Sequence, residues 1–93
     1  MDDLKVIDNT DKRRFEVALG DEFAFIEYSH FKGHIVLNHT YVPESHRHKG
    51  IAGRMIKVVL DYIKEKKIPL MVYCPVVRKY IEEHSEYKGM LSN

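Results

Sequence analysis

Apolar and polar residues alternate along the first half of the chain. Between Arg14 and Leu19 the residues Phe15, Val17 and Leu19 share one parity, which is the period-two signature of a half-buried strand. The same pattern predicts four strands, at Leu4–Ile7, Arg14–Leu19, Phe23–His30 and Ile35–Val42. The fourth has apolar residues on both parities, so we expect both of its faces to be covered. Turn-forming residues separate the strands and predict an antiparallel meander.

The second half of the chain changes to helical spacing. Apolar residues recur three and four positions apart between Gly50 and about Lys66, which predicts an amphipathic helix. A fifth strand is expected at Ile68–Cys74. Pro75 stops it and can open a short second helix, Val76–His84. The predicted core faces of the two helices are Ala52, Met55, Ile56, Val59, Leu60 and Ile63 in the first and Val77, Tyr80 and Ile81 in the second.

The resulting order ββββαβα predicts an α/β (α+β) fold. An antiparallel meander is followed by a crossover, which implies a parallel strand pair and a right-handed connection. Ligands in such units bind beyond the carboxyl ends of the parallel strands. Those ends are Thr40–Val42 and Tyr73–Cys74.

Length and composition narrow the class of protein. The 93 residues fit one domain, 1–93. A composition of 44% hydrophobic and 31% charged residues is typical of an ordinary folded chain. A formal net charge of +1 argues against general attraction to nucleic acid or membranes. The one cysteine, Cys74, excludes an intramolecular disulfide and favours the cytoplasm. Residues 1–3 are acidic and do not resemble a secretory signal.

Cations and small residues surround the start of the first helix. A helix start attracts anions, and residues as small as Gly50, Ala52 and Gly53 leave its amides accessible. The pattern predicts a site for a phosphate-bearing ligand. Two other interpretations are a merely solvated basic helix start and nucleic-acid binding; one small patch without interleaved aromatic residues disfavours the latter. The surrounding cations are Arg47, His48, Lys49, Arg54 and Lys57.

This loop also carries a recognisable motif. Neither the Walker pattern nor the dinucleotide-binding glycine pattern is present, whereas Arg47–Ala52 matches Arg/Gln-x-x-Gly-x-Gly/Ala. With that motif between a fourth strand and a helix, the chain resembles the GNAT acetyltransferase superfamily. Further matching residues, from about Phe15 to Tyr87, resemble the small stand-alone YjdJ-like group. They are His39-Thr40-Tyr41-Val42-Pro43, Cys74-Pro75, Tyr80-Ile81, His84 and Tyr87.

The resemblance implies an acetyl-CoA-dependent N-acetyltransferase that needs no metal. The acceptor would be an amine, of a small molecule or of a protein. The alternative is a module that binds coenzyme A or acyl-CoA with little catalysis. Many members carry Glu in place of Tyr41, so the carboxylate base of those members does not carry over to this position. A turn here replaces the helices that wall the acceptor site in typical members, so we expect that site to be open and shallow. The implied cofactor-binding residues are Thr40, Tyr41, Val42, Arg47, His48, Lys49, Gly50, Ile51, Ala52, Gly53 and Arg54.

Three residues are candidates for the chemistry itself. Cys74 before Pro75 could be a thiol activated by a helix N-terminus, or only a small buried hydrophobe. His39 could take a proton from an amine, or be buried and bonded to backbone. Tyr80 could protonate the departing thiolate, or serve packing. His46 and His48 lack the neighbouring ligands of a zinc site.

Overall fold

The alternating first half of the chain forms an antiparallel meander in the computed structural model, which describes residues 4–93. Residues 1–3, the basis of the signal-peptide argument, lie outside the described part. A parallel pair between the fourth and fifth strands completes a sheet of order β1-β2-β3-β4-β5, so the predicted fold class is confirmed. The elements are β1 (Ile7–Asn9), β2 (Arg14–Leu19), β3 (Glu22–Phe31), β4 (His34–Tyr41), α1 (Ile51–Lys66), β5 (Leu70–Val72) and α2 (Pro75–Glu83).

Both helices pack on one face of the sheet, which we call the helix face. Phe15, Ile26 and Leu37 on this face join Leu60 of α1 and Ile81 of α2 in one buried cluster. Burying a side chain of this size stabilises the fold by about 1.5–3 kcal/mol. Of the predicted α1 core residues only Ala52 is not fully buried, and Tyr80 is half-buried on α2.

The opposite face, which we call the open face, carries no helix within residues 4–93. Val36 is buried there but stands outside the main core cluster. Large side chains on this face are exposed, including Phe31 at 54% and Tyr73 at 61%. The prediction that both faces of the fourth strand are covered is therefore wrong, since Asn38, His39 and Tyr41 are also exposed.

Two predicted strands differ from the structure by more than one residue at an end. The first begins at Ile7 and includes Asn9, whose side chain then caps the turn by accepting a hydrogen bond from the amide of Lys12 at 3.2 Å. The fifth is only Leu70–Val72, because Pro69 has no N–H to give to a ladder and Tyr73 makes the last hydrogen bond to β4, through the carbonyl of Leu37.

The helix ends follow their sequence signals. Gly50 precedes α1 in the left-handed region, with φ of 78°, and the left-handed Lys67 ends it by donating to the carbonyls of Ile63 and Lys64. Cys74 stands at the N-cap position of α2, and Pro75 is the first residue of that helix, a position that proline favours. A 3₁₀ helix, Ser85–Met90, occupies the segment that the sequence left unassigned. Within residues 4–93, no helix has the length and apolar character needed to cross a membrane.

Candidate active site

A cleft opens where β4 and β5 separate. The ladder between them ends at Leu37 and Val72, while β4 continues for four residues. The register between β3 and β4 shifts at Asn38, so β4 carries an extra residue at this point. Beyond it, His39 to Tyr41 pair with β3 on one side, and no other described strand pairs with their second edge. This leaves backbone groups that an extended ligand could use.

Thr40 and Cys74 meet across this cleft on the helix face. The Thr40 hydroxyl and the Cys74 thiol are 3.2 Å apart and share a hydrogen bond in which either can donate. Cys74 is only 2% exposed and precedes the first turn of α2. Its side chain makes no capping bond to that helix. The sequence placed both residues at strand ends but did not reveal that they bond to each other.

The loop before α1 presents backbone amides to a shallow concavity. His48 and Gly50 both have positive φ, 65° and 78°, and this turns the chain sharply into the helix. The amide of Arg54 donates to the carbonyl of Gly50, so the first three helical amides, at Ile51, Ala52 and Gly53, are the ones left without a helical acceptor. The concavity has about 320 Å³ and is lined by Val42, His46, Arg47, His48, Gly50, Ile51, Ala52 and Gly53.

Side chains tie this loop to the sheet. Arg47 donates through Nε to the carbonyl of Val42 at 2.8 Å, so it braces the loop as well as adding charge. Glu22, at the start of β3, accepts a hydrogen bond from Ser45 at 2.9 Å and lies 3.6 Å from the His46 imidazole. No local pattern points to Glu22, because the hairpin that brings it to the loop is a long-range feature of the sheet.

His39 lies on the other side of β4 from Thr40 and Cys74. Its imidazole is exposed, and the rings of His39 and Phe25 have centroids 6.5 Å apart. The alternative of a buried histidine is therefore wrong. Tyr41 is on the same open face, with its ring 5.2 Å from that of Phe25. The structure thus separates two candidates for the chemistry, His39 and Cys74, onto opposite faces of the sheet.

Tyr80 connects the loop with the C-terminal part of the chain. A Cβ atom on Gly53 would be 3.9 Å from the Tyr80 ring, so this ring lies beside the first turn of α1. The His84 ring stacks on it at 3.9 Å, held by a 2.8 Å hydrogen bond between Nδ1 and the Tyr80 carbonyl. Burial raises the pKa of Tyr80, so the phenol keeps its proton at neutral pH.

A second tyrosine holds the C-terminal segment against α1. Tyr87 is buried and donates to Asp61 at 2.6 Å, while Lys57 donates to the same carboxylate at 3.1 Å. Burial and then the Asp61 bond raise the pKa of Tyr87 to about 12. Burial alone would raise the pKa of Asp61, but hydrogen bonds from Tyr87 and Lys57 lower it overall. Lys57, predicted among the loop cations, is thus engaged in this structural network.

Metal-ligating side chains are dispersed in the described chain. Within residues 4–93, no three His, Cys, Asp or Glu residues come together in an arrangement that could hold a metal ion. His46, one of the two histidines considered for zinc, faces Glu22 instead.

Comparison with known proteins identifies relatives over most of the chain. A family model described as GCN5-related N-acetyl-transferase matches residues 14–90, from the start of β2 to the end of the C-terminal 3₁₀ helix. Protein NATD1 of Mus musculus is 31% identical over 84 residues, covering 87% of this chain and 76% of that protein. The Homo sapiens protein of the same name has the same identity, with 74% of its length covered. In Danio rerio the identity is 28% over 89 residues.

Proposed function

The chain belongs to the GCN5-related N-acetyltransferase family, and we propose that it transfers an acetyl group from acetyl-CoA to an amine. One observation carries the proposal: the free edge of β4 leads directly into a loop whose helix start presents three amides. A ligand with both phosphates and an extended amide-containing arm would suit these two features together. Acetyl-CoA is such a ligand.

Different residues around the cleft would bind different parts of acetyl-CoA. The amides of Ile51, Ala52 and Gly53 would accept the pyrophosphate, and the cation of Lys49 would offset part of its charge. The free edge of Thr40–Val42 would pair with the amides of the pantetheine arm as a neighbouring strand would. The concavity is shallow, so phosphate groups bound there would remain partly in solvent.

Two protons must move during the transfer. Acetyl-CoA supplies an activated thioester; a C–N bond to the amine forms and the C–S bond breaks. We assign the proton lost by the amine to the imidazole of His39, because this side chain is exposed and an imidazole can act as a general base. The departing sulfur needs a proton in return, and Tyr80 is our candidate donor because its raised pKa keeps the phenol protonated.

Cys74 has two possible roles in this scheme, an acetyl carrier or a wall of the cleft. We favour the wall. Its thiol is 2% exposed and bonded to Thr40 on the helix face, whereas His39 lies on the open face. An acetyl group on Cys74 would be on the wrong side of β4 for an amine that uses His39 as base. The amine would therefore attack the thioester directly.

A coenzyme A-binding module without turnover is the second candidate. The observation in its favour is that the residue at the end of β4 is Tyr41, a phenol and not a carboxylate, and that its face of the sheet is open. Such a protein would hold the cofactor in the same cleft but lack an efficient route for the amine proton. For either candidate the single reduced cysteine suits a reducing compartment such as the cytoplasm.

Calorimetry and an acetyl-transfer assay separate the two candidates. Purified protein would be titrated with acetyl-CoA and then incubated with a panel containing lysine peptides, free N-termini, polyamines and small aromatic amines. Binding with acetylation of at least one class, detected by mass spectrometry, supports the transferase. Binding with no product above the protein-free control supports the module, and failure to bind acetyl-CoA contradicts both.

A further inference from the structure

The open face carries its own cluster of polar and aromatic groups next to His39. Glu27 of β3 is the direct cross-strand partner of His39, and both side chains are exposed. Cross-strand partners have Cβ atoms about 4.5–5.5 Å apart. Phe25 and Tyr41 are the next cross-strand pair on this face, and their rings lie to one side of Glu27 and His39. A carboxylate, an imidazole and two aromatic rings therefore meet where β4 leaves β5.

The same face already holds one cation in this chemical environment. The Arg14 guanidinium carbon is 4.3 Å from the centroid of the Phe25 ring, and Nε donates to Glu16 at 2.7 Å. Aromatic faces and carboxylates together stabilise cations. Arg14, on β2, is also the cross-strand neighbour of Glu27 on β3, but its Nε donates its hydrogen bond to Glu16. Glu27 is thus placed to receive a cation from outside the chain.

We propose that Glu27, with the Phe25 and Tyr41 rings, binds the ammonium group of a lysine side chain on a partner peptide and presents it to His39. This inference rests on the proposed function, since it places the acceptor of that reaction. Glu27 would be a binding residue for the acceptor, and His39 the group that removes its proton.

The shape of the open face favours a peptide over a free small amine. A shallow groove of about 570 Å³ crosses β3, β4 and β5 on this face and includes Asn38, the residue before His39; exposed Phe31 and Tyr73 are part of its lining. Its other lining residues are Ser29, His30, Val36, Asn38 and Met71. An extended segment could lie in this groove while its lysine reaches Glu27. A small polyamine would leave the groove and its aromatic side chains uncovered.

The proton transfer on this face is a balanced step. The lysine arrives as an ammonium ion held by Glu27. It gives one proton to neutral His39, which becomes an imidazolium next to the Glu27 carboxylate. The neutral amine then attacks the thioester carbonyl from the open face and forms the C–N bond. The C–S bond breaks, and coenzyme A leaves as a thiolate that takes the proton of Tyr80. The second nitrogen proton is released to water, and water returns a proton to the Tyr80 phenolate. Glu27 thus favours both the arriving cation and the imidazolium that replaces it.

Nuclear magnetic resonance titration tests the assignment without depending on turnover. Labelled full-length protein, saturated with coenzyme A, would be titrated with a single-lysine peptide, with the same peptide acetylated on that lysine, and with spermidine. We expect amide shifts at Glu27, His39 and Tyr41, extending to Tyr73 in the groove. Glu27→Gln should weaken peptide binding roughly two- to fivefold, the range for an exposed ion pair. The matched control Glu82→Gln, on exposed α2, should leave binding unchanged.

Each outcome of the titration decides for or against the proposal. Weaker binding of the acetylated peptide and of the Glu27→Gln variant supports it. Shifts confined to other elements, equal binding of both peptides, or an unaffected Glu27→Gln variant would overturn it. Tighter binding of spermidine than of the peptide at these residues would overturn the peptide assignment. Peptide that binds here but is never acetylated by acetyl-CoA contradicts the proposed transferase function and leaves the docking site standing.

Discussion

Replacing Gly53 by valine separates cofactor binding from stability. Gly53 lies in the first turn of α1 with ordinary helical geometry, and its amide is one of the three that we assign to the pyrophosphate. A branched side chain at this position would crowd the approach to those amides. It would also meet the edge of the Tyr80 ring, which is 3.9 Å from the position of the added Cβ.

The effects of this substitution on stability and on cofactor affinity should differ in size. Valine is better than glycine in a helix by about 0.3 kcal/mol, and adjustment of Tyr80 offsets this gain, so the stability should change by less than about 1 kcal/mol. Loss of phosphate contact should weaken acetyl-CoA binding by about tenfold or more, which corresponds to about 1.4 kcal/mol. Affinity should therefore fall more than the free energy of unfolding does.

Titration calorimetry and thermal unfolding of the same preparations measure both quantities. Gly89→Val, in the C-terminal 3₁₀ helix, is the matched control and should leave affinity unchanged. Gly50→Val should instead destabilise the fold, because φ of 78° costs a residue with a side chain about 1–2 kcal/mol. For a domain of this size that lowers Tm by about 4–8 °C per kcal/mol. Unchanged affinity in folded Gly53→Val would refute the amide site.

Three further predictions follow from the site and its surroundings. Absorbance titration should show two phenols, Tyr28 and Tyr87, ionising at about 12 rather than 10, and Tyr87→Phe should remove one of them. The pKa values of these two phenols are higher in the folded protein than the usual value of 10. The stability that the protonated phenols contribute should therefore be complete below pH 10 and be lost between about pH 10 and 12. Unfolding curves that do not change over that interval would contradict this. Cys74→Ala should retain most of the turnover, and mass spectra after mixing with acetyl-CoA should show no acetyl group on Cys74; a stable acetyl adduct that an amine removes would establish the covalent route instead. Raising the salt concentration should weaken acetyl-CoA binding, and salt-independent affinity would contradict a partly exposed phosphate site.

The sequence was sufficient for the order of elements because each one has a strong local signal. Phe15, Val17 and Leu19 alternate within β2 alone. The helical spacing from Met55 to Ile63 lies within α1 alone. The Gly50 loop and the Cys74-Pro75 helix start are also local. The family followed from these features together, and the match over residues 14–90 confirms it.

Long-range features could not be predicted in the same way. Apolar residues on both parities of the fourth strand suggested a covered second face, but Val36 is buried within an otherwise open face. The bulge at Asn38 reverses the alternation of side chains along β4. His39 therefore lies on the other face of the sheet from Thr40 and Cys74, which the periodicity of the sequence does not predict. The roles of Glu22 and Glu27 depend on strand register, which local patterns do not specify.

The central claim is that acetyl-CoA occupies the cleft between β4 and β5, and a crystal structure of the complex tests it most directly. We predict pyrophosphate oxygens at hydrogen-bond distance, about 2.7–3.2 Å, from the amides of Ile51 to Gly53, and pantetheine amides paired with the free edge of β4 from Thr40 to Val42. The thioester should lie beside Cys74, with its carbonyl carbon accessible from the face that carries His39. A cofactor bound elsewhere on the molecule, or one whose phosphates do not reach the α1 amides, would contradict the account.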